Sequence, residues 1–393
     1  MTDLIRDGVY YIGVMNPALR IFDIVMYAEY GTTYNSYLII GNGKKAIIDT
    51  VHESFGDEFL KNIQMVTDIS EIDYLVINHT EPDHSGSVRK ILDLNPNIKI
   101  YCTAPAQKYL SGIINREFNC QIVREGETLD LGERILTFHP APFLHWPDSM
   151  FTYDSASKII FTCDFLGTHF CEPRLYDKYM QYPDKYKIAF KYYYDAIFGP
   201  FKPYVLAGLE KLKPLDFTLI CPSHGPILES FQKEALESYL EWSSVQEGKK
   251  SVIVAYATAY GYTRSLAKAA YDVLIKNGYT AELIDVVTTP LTVTAEKIAN
   301  CGALLVGSNT INKDATKPVW DILTSIDAIN SKAKPAGAFG SYGWSGEAVG
   351  MIKERLCDLK FKFIDEGIKV NFKPVDKDFE TIREYALKVA SAM

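Results

Sequence analysis

His79-Thr80-Glu81-Pro82-Asp83-His84 packs four potential metal ligands into six residues. It directly follows Tyr74-Leu-Val-Ile-Asn78, an apolar run that reads as a buried strand. A strand ending this way delivers its side chains to a loop at the sheet edge, where ligands can converge. All seven histidines (His52, His79, His84, His139, His145, His169 and His224) lie at or before position 224, and none follows. One half of the chain therefore reads as built for metal, and the other half has a different task.

At 393 residues the chain is long for one core, and two domains are expected, spanning 1–248 and 249–393. A composition of 47% hydrophobic and 23% charged residues is that of an ordinary globular protein. The net charge of −8 offers no basic patch, which argues against nucleic acid and suits docking with a complementary protein surface. The start, Met1-Thr-Asp-Leu-Ile-Arg-Asp7, lacks a secretory pattern. No apolar run approaches the roughly 18 residues of a membrane span. Seven cysteines are scattered with no CxxC pair, and most of them read as reduced, buried thiols in a cytoplasmic protein.

In the first half, strands are expected at 9–14, 37–40, 46–51, 74–77, 98–102, 135–139, 159–163 and 218–221. Helices are expected at 54–65, 87–94, 105–115, 184–198, 203–211 and 230–246. Strands outnumber helices early, so a layered sheet-and-helix fold fits better than a βαβ alternation. Glu247-Gly-Lys-Lys250 is the expected seam. Beyond it, strands at 252–256, 281–287, 303–307, 336–339 and 369–372 alternate with helices at 263–276, 294–300, 318–326, 346–359 and 378–392. Such alternation specifies a doubly wound parallel sheet.

More ligand types lie downstream, each beside an apolar run: His145, Asp164 and His224. With His79, Glu81, Asp83 and His84 they make four imidazoles and three carboxylates, too many for one tetrahedral ion. They suit two ions with a bridging carboxylate and open positions for a small molecule. His139 and His169 carry no motif and read as structural.

In the second half, Tyr256-Ala-Thr-Ala-Tyr-Gly-Tyr-Thr263 joins the first strand to the first helix. Hydroxyls and backbone amides at such a turn form an anion nest, to which the helix N-terminus adds its dipole. Two more loops, Gly307–Asn312 and Ser341–Glu347, follow later strands at the sheet edge where open α/β sheets bind ligands. Tyr342 and Trp344 are suitable stacking residues. No GxGxxG or GxxxxGK[ST] motif occurs, which argues against NAD or ATP.

The ligand series resembles the metallo-β-lactamase fold, an αββα sandwich, whose hydrolytic form is His-x-His-x-Asp-His followed by His, Asp and His. Glu81 stands where the hydrolases carry a second His, which hardens the site from zinc toward iron or manganese. That substitution marks the flavodiiron proteins. Asp49 in turn resembles the family's early strand-end Asp, implying support for the ligand loop from behind. His84 is the least secure ligand, since in relatives of this pattern it sometimes only lines the site. The phosphate turn resembles the flavodoxin loop Thr/Ser-x-Thr-Gly-x-Thr, lengthened or altered here. The resemblance implies that Thr258, Ala259, Tyr260, Gly261, Tyr262 and Thr263 bind the FMN phosphate. It likewise implies that Ser308, Asn309, Thr310, Ile311 and Asn312, with Ser341, Tyr342, Gly343, Trp344, Ser345 and Gly346, flank the flavin ring.

Taken together, a β-lactamase-like diiron domain followed by a flavodoxin-like domain resembles the A-type flavodiiron layout. Gly31-Thr-Thr-Tyr-Asn-Ser-Tyr-Leu38, Leu144-His-Trp-Pro-Asp-Ser-Met150 and Gly343-Trp-Ser-Gly-Glu347 also look like that family. The resemblance implies reduction of O2 to water, of NO to N2O, or of both, with two Fe ions and FMN. Tyr27, Trp146 and the Tyr192–Tyr194 run, with Tyr193 central, are candidates for excluding water and donating hydrogen bonds at the irons. No CxxC follows the flavodoxin part, so a separate rubredoxin-like donor is expected, or reduced F420. Pairing as a head-to-tail homodimer, or a dimer of dimers, is implied too. Two rivals stand beside this reading: a two-zinc hydrolase, and an electron-transfer flavoprotein whose metal domain only docks.

Overall fold

The computed structural model describes residues 2–24, 26–244, 251–326, 328–329 and 331–393. The chain divides into two compact units, Met1–Val245 and Gln246–Met393; the expected seam at Glu247–Lys250 lies outside the described residues. Among the described residues no helix is long and apolar enough to cross a membrane.

In the first unit one sheet runs in the order Asp3–Arg6, Val9–Tyr11, Tyr37–Ile40, Lys45–Ile48, Tyr74–Val76, Lys99–Cys102, Cys120–Ile122. It is antiparallel as far as Lys45–Ile48 and parallel beyond. The other sheet runs Thr128–Asp130, Ile135–Pro140, Met150–Asp154, Ile159–Cys163, Leu219–Pro222, and only its last pair is parallel. Strand alternation sorts the side chains into layers. Ala46 and Ile48 pack with Phe161 and Leu219 in one core, whereas Ile47 packs with Phe59 and Ile63 of the helix Gly56–Gln64 in another. On the second sheet Ile160 and Ile220 turn the other way, into a third core with Phe190 and Tyr239 from helices. Both faces of both sheets are thereby covered, which is the αββα sandwich.

Three expectations are corrected. The strand expected at 9–14 breaks into Val9–Tyr11 and Val14–Asn16, which pair with different partners. At the break, a Cβ on Gly13 would sit 2.4 Å from the carbonyl oxygen of Tyr34, so the crossing needs glycine. Met150–Asp154 is a central strand that apolar periodicity passed over, because Thr152 and Asp154 are buried there with partners. Thr152 donates to Asn78 Oδ1 (2.6 Å), and Asp154 accepts from Arg134 (3.0 Å). Finally, Pro82–Ser85, expected as loop, is a helical turn; Pro82 at its first position supplies the fixed φ that starts it.

The second unit is one parallel sheet in the order Ala281–Asp285, Val252–Tyr256, Ala303–Gly307, Pro335–Tyr342, with both Lys362–Phe363 and Ile368–Asn371 pairing beside the last. Counting that final pair as one position gives the flavodoxin order 2-1-3-4-5. Helices Tyr262–Lys276 and Asp376–Ser391 lend Leu266, Ala270, Ile382 and Val389 to one core. Helices Lys317–Ser325 and Glu347–Asp358 lend Val319, Leu323, Ile352 and Leu356 to the core on the opposite face.

Candidate functional site

The strand Tyr74–Val76 carries His79 and Glu81 off its end, and the turn at Pro82–Ser85 then redirects the chain. The consequence is a division of labour within the six residues. His79 and Glu81 converge with His145 and Asp164, while Asp83 and His84 converge with His224, the ligand atoms of each group lying within 4.8 Å of one another. Asp164 faces both groups. Its Oδ2 lies 3.6 Å from His79 Nε2 and 3.5 Å from His145 Nε2; its Oδ1 lies 3.0 Å from His84 Nε2 and 3.4 Å from His224 Nε2. His145, Asp164 and His224 come from the second sheet, Asp164 directly after Ile159–Cys163 and His224 after Leu219–Pro222.

Partners behind these side chains fix their orientation. Asp148 Oδ2 accepts from the Thr80 backbone and hydroxyl (both 2.7 Å) and lies 3.2 Å from His79 Nδ1. His224 Nδ1 donates to the Thr33 carbonyl (2.6 Å), which leaves Nε2 as the free lone pair. Asn35 donates to the carbonyls of Pro222 (2.8 Å) and Gly225 (2.9 Å), holding the His224 loop against the strand Thr32–Tyr34. Asp49 accepts from the backbone N–H of Asn78 (2.7 Å), one residue before His79.

Around the cluster, the hydroxyl of buried Tyr193 donates to Asp164 Oδ1 (3.1 Å); burial, and next the Asp164 charge, keep that phenol protonated. The indole of Trp146 meets His79 edge-on at 5.1 Å. Tyr27 is placed differently: it is 56% exposed, and its backbone N–H donates to the hydroxyl of Tyr192. Tyr194 turns away to Ser243. His169, read as structural, lies beside the cluster. This buried ring lies 4.7 Å from His224, 5.0 Å from Tyr193 and 2.9 Å (Nδ1) from Thr32 Oγ1. Burial first, then His224, hold it neutral. His139 is half-buried, with Nδ1 2.6 Å from Glu125 and Nε2 buried without a hydrogen-bond partner.

In the second unit all three expected loops leave the same edge of the sheet. Gly261 caps the helix Tyr262–Lys276 at φ +83°, with open space where a Cβ would stand. Its N–H donates to Thr258 Oγ1 (3.0 Å), and Ala259 and Tyr260 are exposed at the tip. Thr263 Oγ1 meets Ser341 Oγ at 2.9 Å, tying the first loop to the third. In the middle loop Ser308 is buried, Asn309 Oδ1 is buried with no hydrogen-bond partner, and Thr310–Ile311 forms a small hairpin with Asp314–Ala315, in whose turn Asn312 has φ +52°. Thr310 Oγ1 accepts from Ala348, and the Gly343 carbonyl accepts from Asn371 (2.9 Å). Tyr342, Ser345 and Gly346 are half-buried, while Trp344 is 79% and Tyr260 87% exposed. Bare backbone donors, an orphaned amide and open aromatic rings form a cradle suited to a phosphorylated flat ring system.

Residues 32–225 match the ODP family beta lactamase and residues 254–385 match Flavodoxin. The Flavo-diiron protein FprA2 of Clostridium acetobutylicum is 47% identical over 383 residues, 96% of each chain. The chain belongs to the flavodiiron family. Nitric oxide reductase of Moorella thermoacetica is 34% identical over 98% of each chain. The structure of rubredoxin oxygen:oxidoreductase from Desulfovibrio gigas superposes with a TM-score of 0.72 at 30% identity, covering 100% of this chain and 98% of that one.

The donor set of this flavodiiron chain fits a pair of cations. Both oxygens of Asp83, Nε2 of His84 and Oδ2 of Asp164 are buried without a hydrogen bond. Such atoms are costly unless something positive completes them. Burial lowers His84 and His145, but carboxylates outweigh it: Asp83 and Asp164 push His84 up to about 10, and Asp164 and Glu81 push His145 up to about 9. Each must release its proton to bind a cation, so metal affinity falls as the pH drops below these values. Asp148→Asn is expected to lower iron affinity by about 10–100-fold, measured by chelator competition, because it removes the charge that orients His79.

Two residues at this site had no role assigned from the sequence. Asp148 stood in a quoted motif but had no role until the fold placed it behind His79. Asp23 is exposed overall, yet its carboxyl meets Glu81; partial burial and that contact push it up to about 7. Separations of 69 and 58 residues hide both pairs from any local pattern.

Proposed function

We propose that this flavodiiron protein reduces O2 to water, NO to N2O, or both, at a diiron site fed with electrons through FMN. One observation carries the reading: Asp164 sits between two ligand groups, one of them containing Glu81 where hydrolases of this fold have His. Carboxylate in place of imidazole favours iron over zinc. We assign His79, Glu81 and His145 to one cation, Asp83, His84 and His224 to the other, and Asp164 to both. When bound, the iron pair and FMN together supply four electrons, enough for O2 and twice what coupling two NO molecules needs.

The protein's own groups do the rest. Tyr193 presents a protonated hydroxyl toward the shared carboxylate, where it can donate to a bound oxygen atom. The Trp146 indole and the Phe22–His169 pair, 4.3 Å apart, shield the cluster from bulk water. Asp148 and the Thr33 carbonyl keep His79 and His224 in the tautomers that turn Nε2 inward. Exposed Tyr260 and Trp344 leave the flavin edge open to a partner. The donor is a rubredoxin-like protein, by analogy with the Desulfovibrio relative, or reduced F420. Seven free cysteines suit a cytoplasmic setting.

Protein purified without oxygen and supplied with reduced rubredoxin or F420 tests this reading directly. Two irons and one FMN per chain with rapid loss of O2 or NO are expected. Two zincs and no gas consumption would overturn it in favour of the hydrolase. We further propose a head-to-tail homodimer, alone or doubled, in which each flavin serves its partner's irons. A chain cut within Glu247–Lys250 should then keep its irons and oxidise once without turning over. Sustained turnover by that fragment with rubredoxin would sink the pairing.

A further inference from the structure

Seven cysteines are free, and among the described residues one pair of them is in contact: Cys102 Sγ and Cys120 Sγ lie 3.4 Å apart. Cys102 is buried at the end of the strand Lys99–Cys102; Cys120 is half-buried at the start of the edge strand Cys120–Ile122. The strands are parallel, with Ile100 opposite Cys120 and Cys102 opposite Ile122, so the thiols share a face and reach toward each other diagonally.

We propose that Cys102 and Cys120 form a reversible disulfide, and that the oxidant is a hydroperoxide, hydrogen peroxide being the simplest. Cys120 is the attacking sulfur. It is the more accessible of the two and lies within hydrogen-bond reach of Cys102; that contact, opposed by burial and aided by the charge of Lys99, lowers its thiol, whereas the same contact and burial raise Cys102. The Cys120 thiolate attacks one peroxide oxygen and the O–O bond breaks, leaving Cys120 as a sulfenic acid and releasing water once the departing hydroxide is protonated. Cys102 then attacks Cys120 Sγ; its own proton joins the expelled hydroxide as a second water. Two thiols and one hydrogen peroxide give one disulfide and two waters, and a dithiol reverses the reaction.

Bond formation needs the sulfurs to close from 3.4 Å to about 2.05 Å. The diagonal register means that backbone must shift for this to happen. Cys120–Ile122 is the strand able to do so: it is three residues long, lies at the sheet edge, and pairs only with Lys99–Cys102. The location also suits the oxidant. The neighbouring strand Tyr74–Val76 leads into His79, and the Asp148 charge acts on Cys102. A site that reduces O2 makes peroxide whenever it stops after two electrons. Only this last point depends on the proposed function; the chemistry of the pair does not.

The test uses the full-length, FMN-loaded protein with its irons ferric, treated with hydrogen peroxide, quenched in acid, alkylated, digested without reduction and mapped by mass spectrometry. The expected product is a peptide pair linked through Cys102 and Cys120 in most chains, lost on dithiothreitol treatment. Cys102→Ser should halt Cys120 at a sulfenic acid that dimedone traps, and Cys120→Ser should leave Cys102 free. The proposal fails if both thiols stay fully alkylated at doses that oxidise the exposed Cys357, or if Cys120 proceeds to sulfinic acid without a bridge. Loss of gas reduction in either variant would bear on the metal site and leave the mapping result intact.

Discussion

Asp164→Ala is expected to empty both halves of the metal centre at once. The four Nε2 atoms of His79, His84, His145 and His224 all lie within 3.6 Å of the oxygens of this one carboxylate. Removing it takes a ligand from each cation and the negative charge that lets four imidazoles converge in a buried space. Losing even an outer partner of a metal ligand costs about 10–100-fold in affinity, so losing a shared ligand should exceed the upper figure. Iron per chain should fall from two toward zero, and O2 or NO consumption by at least about a hundredfold. FMN content should stay unchanged, because the flavin cradle is built wholly within the second unit. Metal analysis with flavin absorbance reads both quantities from one sample. Retention of two irons by Asp164→Ala would refute the bridging assignment.

Gly340→Ala should have the opposite signature, with iron kept and flavin lost. A Cβ at Gly340 would lie 1.8 Å from the backbone carbonyl oxygen of Ser308. Neither group can yield cheaply: Gly340 lies in the strand Pro335–Tyr342, Ser308 directly follows the neighbouring strand Ala303–Gly307, and the Ser308 N–H donates to the Phe339 carbonyl (3.0 Å). Overpacking a core costs roughly 1–3 kcal/mol, and a clash with backbone belongs at or above the upper end. The strands that would part carry Ser308 and Ser341, so the cradle should open before the unit unfolds. The readouts are FMN stoichiometry and the unfolding temperature of the second unit. Gly350→Ala is the control: it lies within the helix Glu347–Asp358 with open space around it, and should gain up to about 1 kcal/mol. Normal flavin binding by Gly340→Ala would show that the two strands are looser than their register implies.

The second unit was readable in advance because its strands obey local rules. Val252–Tyr256 and Ala303–Gly307 are continuous apolar runs buried on both faces, and the structure has them at those same bounds. Where a glycine follows the apolar run, as Gly340 does in Pro335–Tyr342, the expected strand 336–339 falls short of the observed one. The first unit resisted for a related reason. Met150–Asp154 buries Thr152 and Asp154 against Asn78 and Arg134 from other segments, so its apolar run stops after Met150 and Phe151. At the metal centre residue types and order pointed to seven side chains, but not to how they divide. That division comes from one turn of helix begun by Pro82, which the expectation of a loop did not contain. His169 shows the remaining limit. A histidine with no motif neighbours becomes part of the site only when Thr32, Tyr193 and His224 arrive from elsewhere in the chain.

The seven candidate ligands are shared between two sheets: His79, Glu81, Asp83 and His84 extend from the first, and His145, Asp164 and His224 from the second. Cations held there would act as rivets across the sandwich, fastening segments as far apart in sequence as 79 and 224. Whatever binds only the native state adds its binding free energy to folding, about 4 kcal/mol when the free ion stands at a thousand times its dissociation constant. The first unit should then resist unfolding better in an iron-replete cell than in a starved one. Proteolysis of the unriveted chain would make the abundance of this protein a running record of the iron supply.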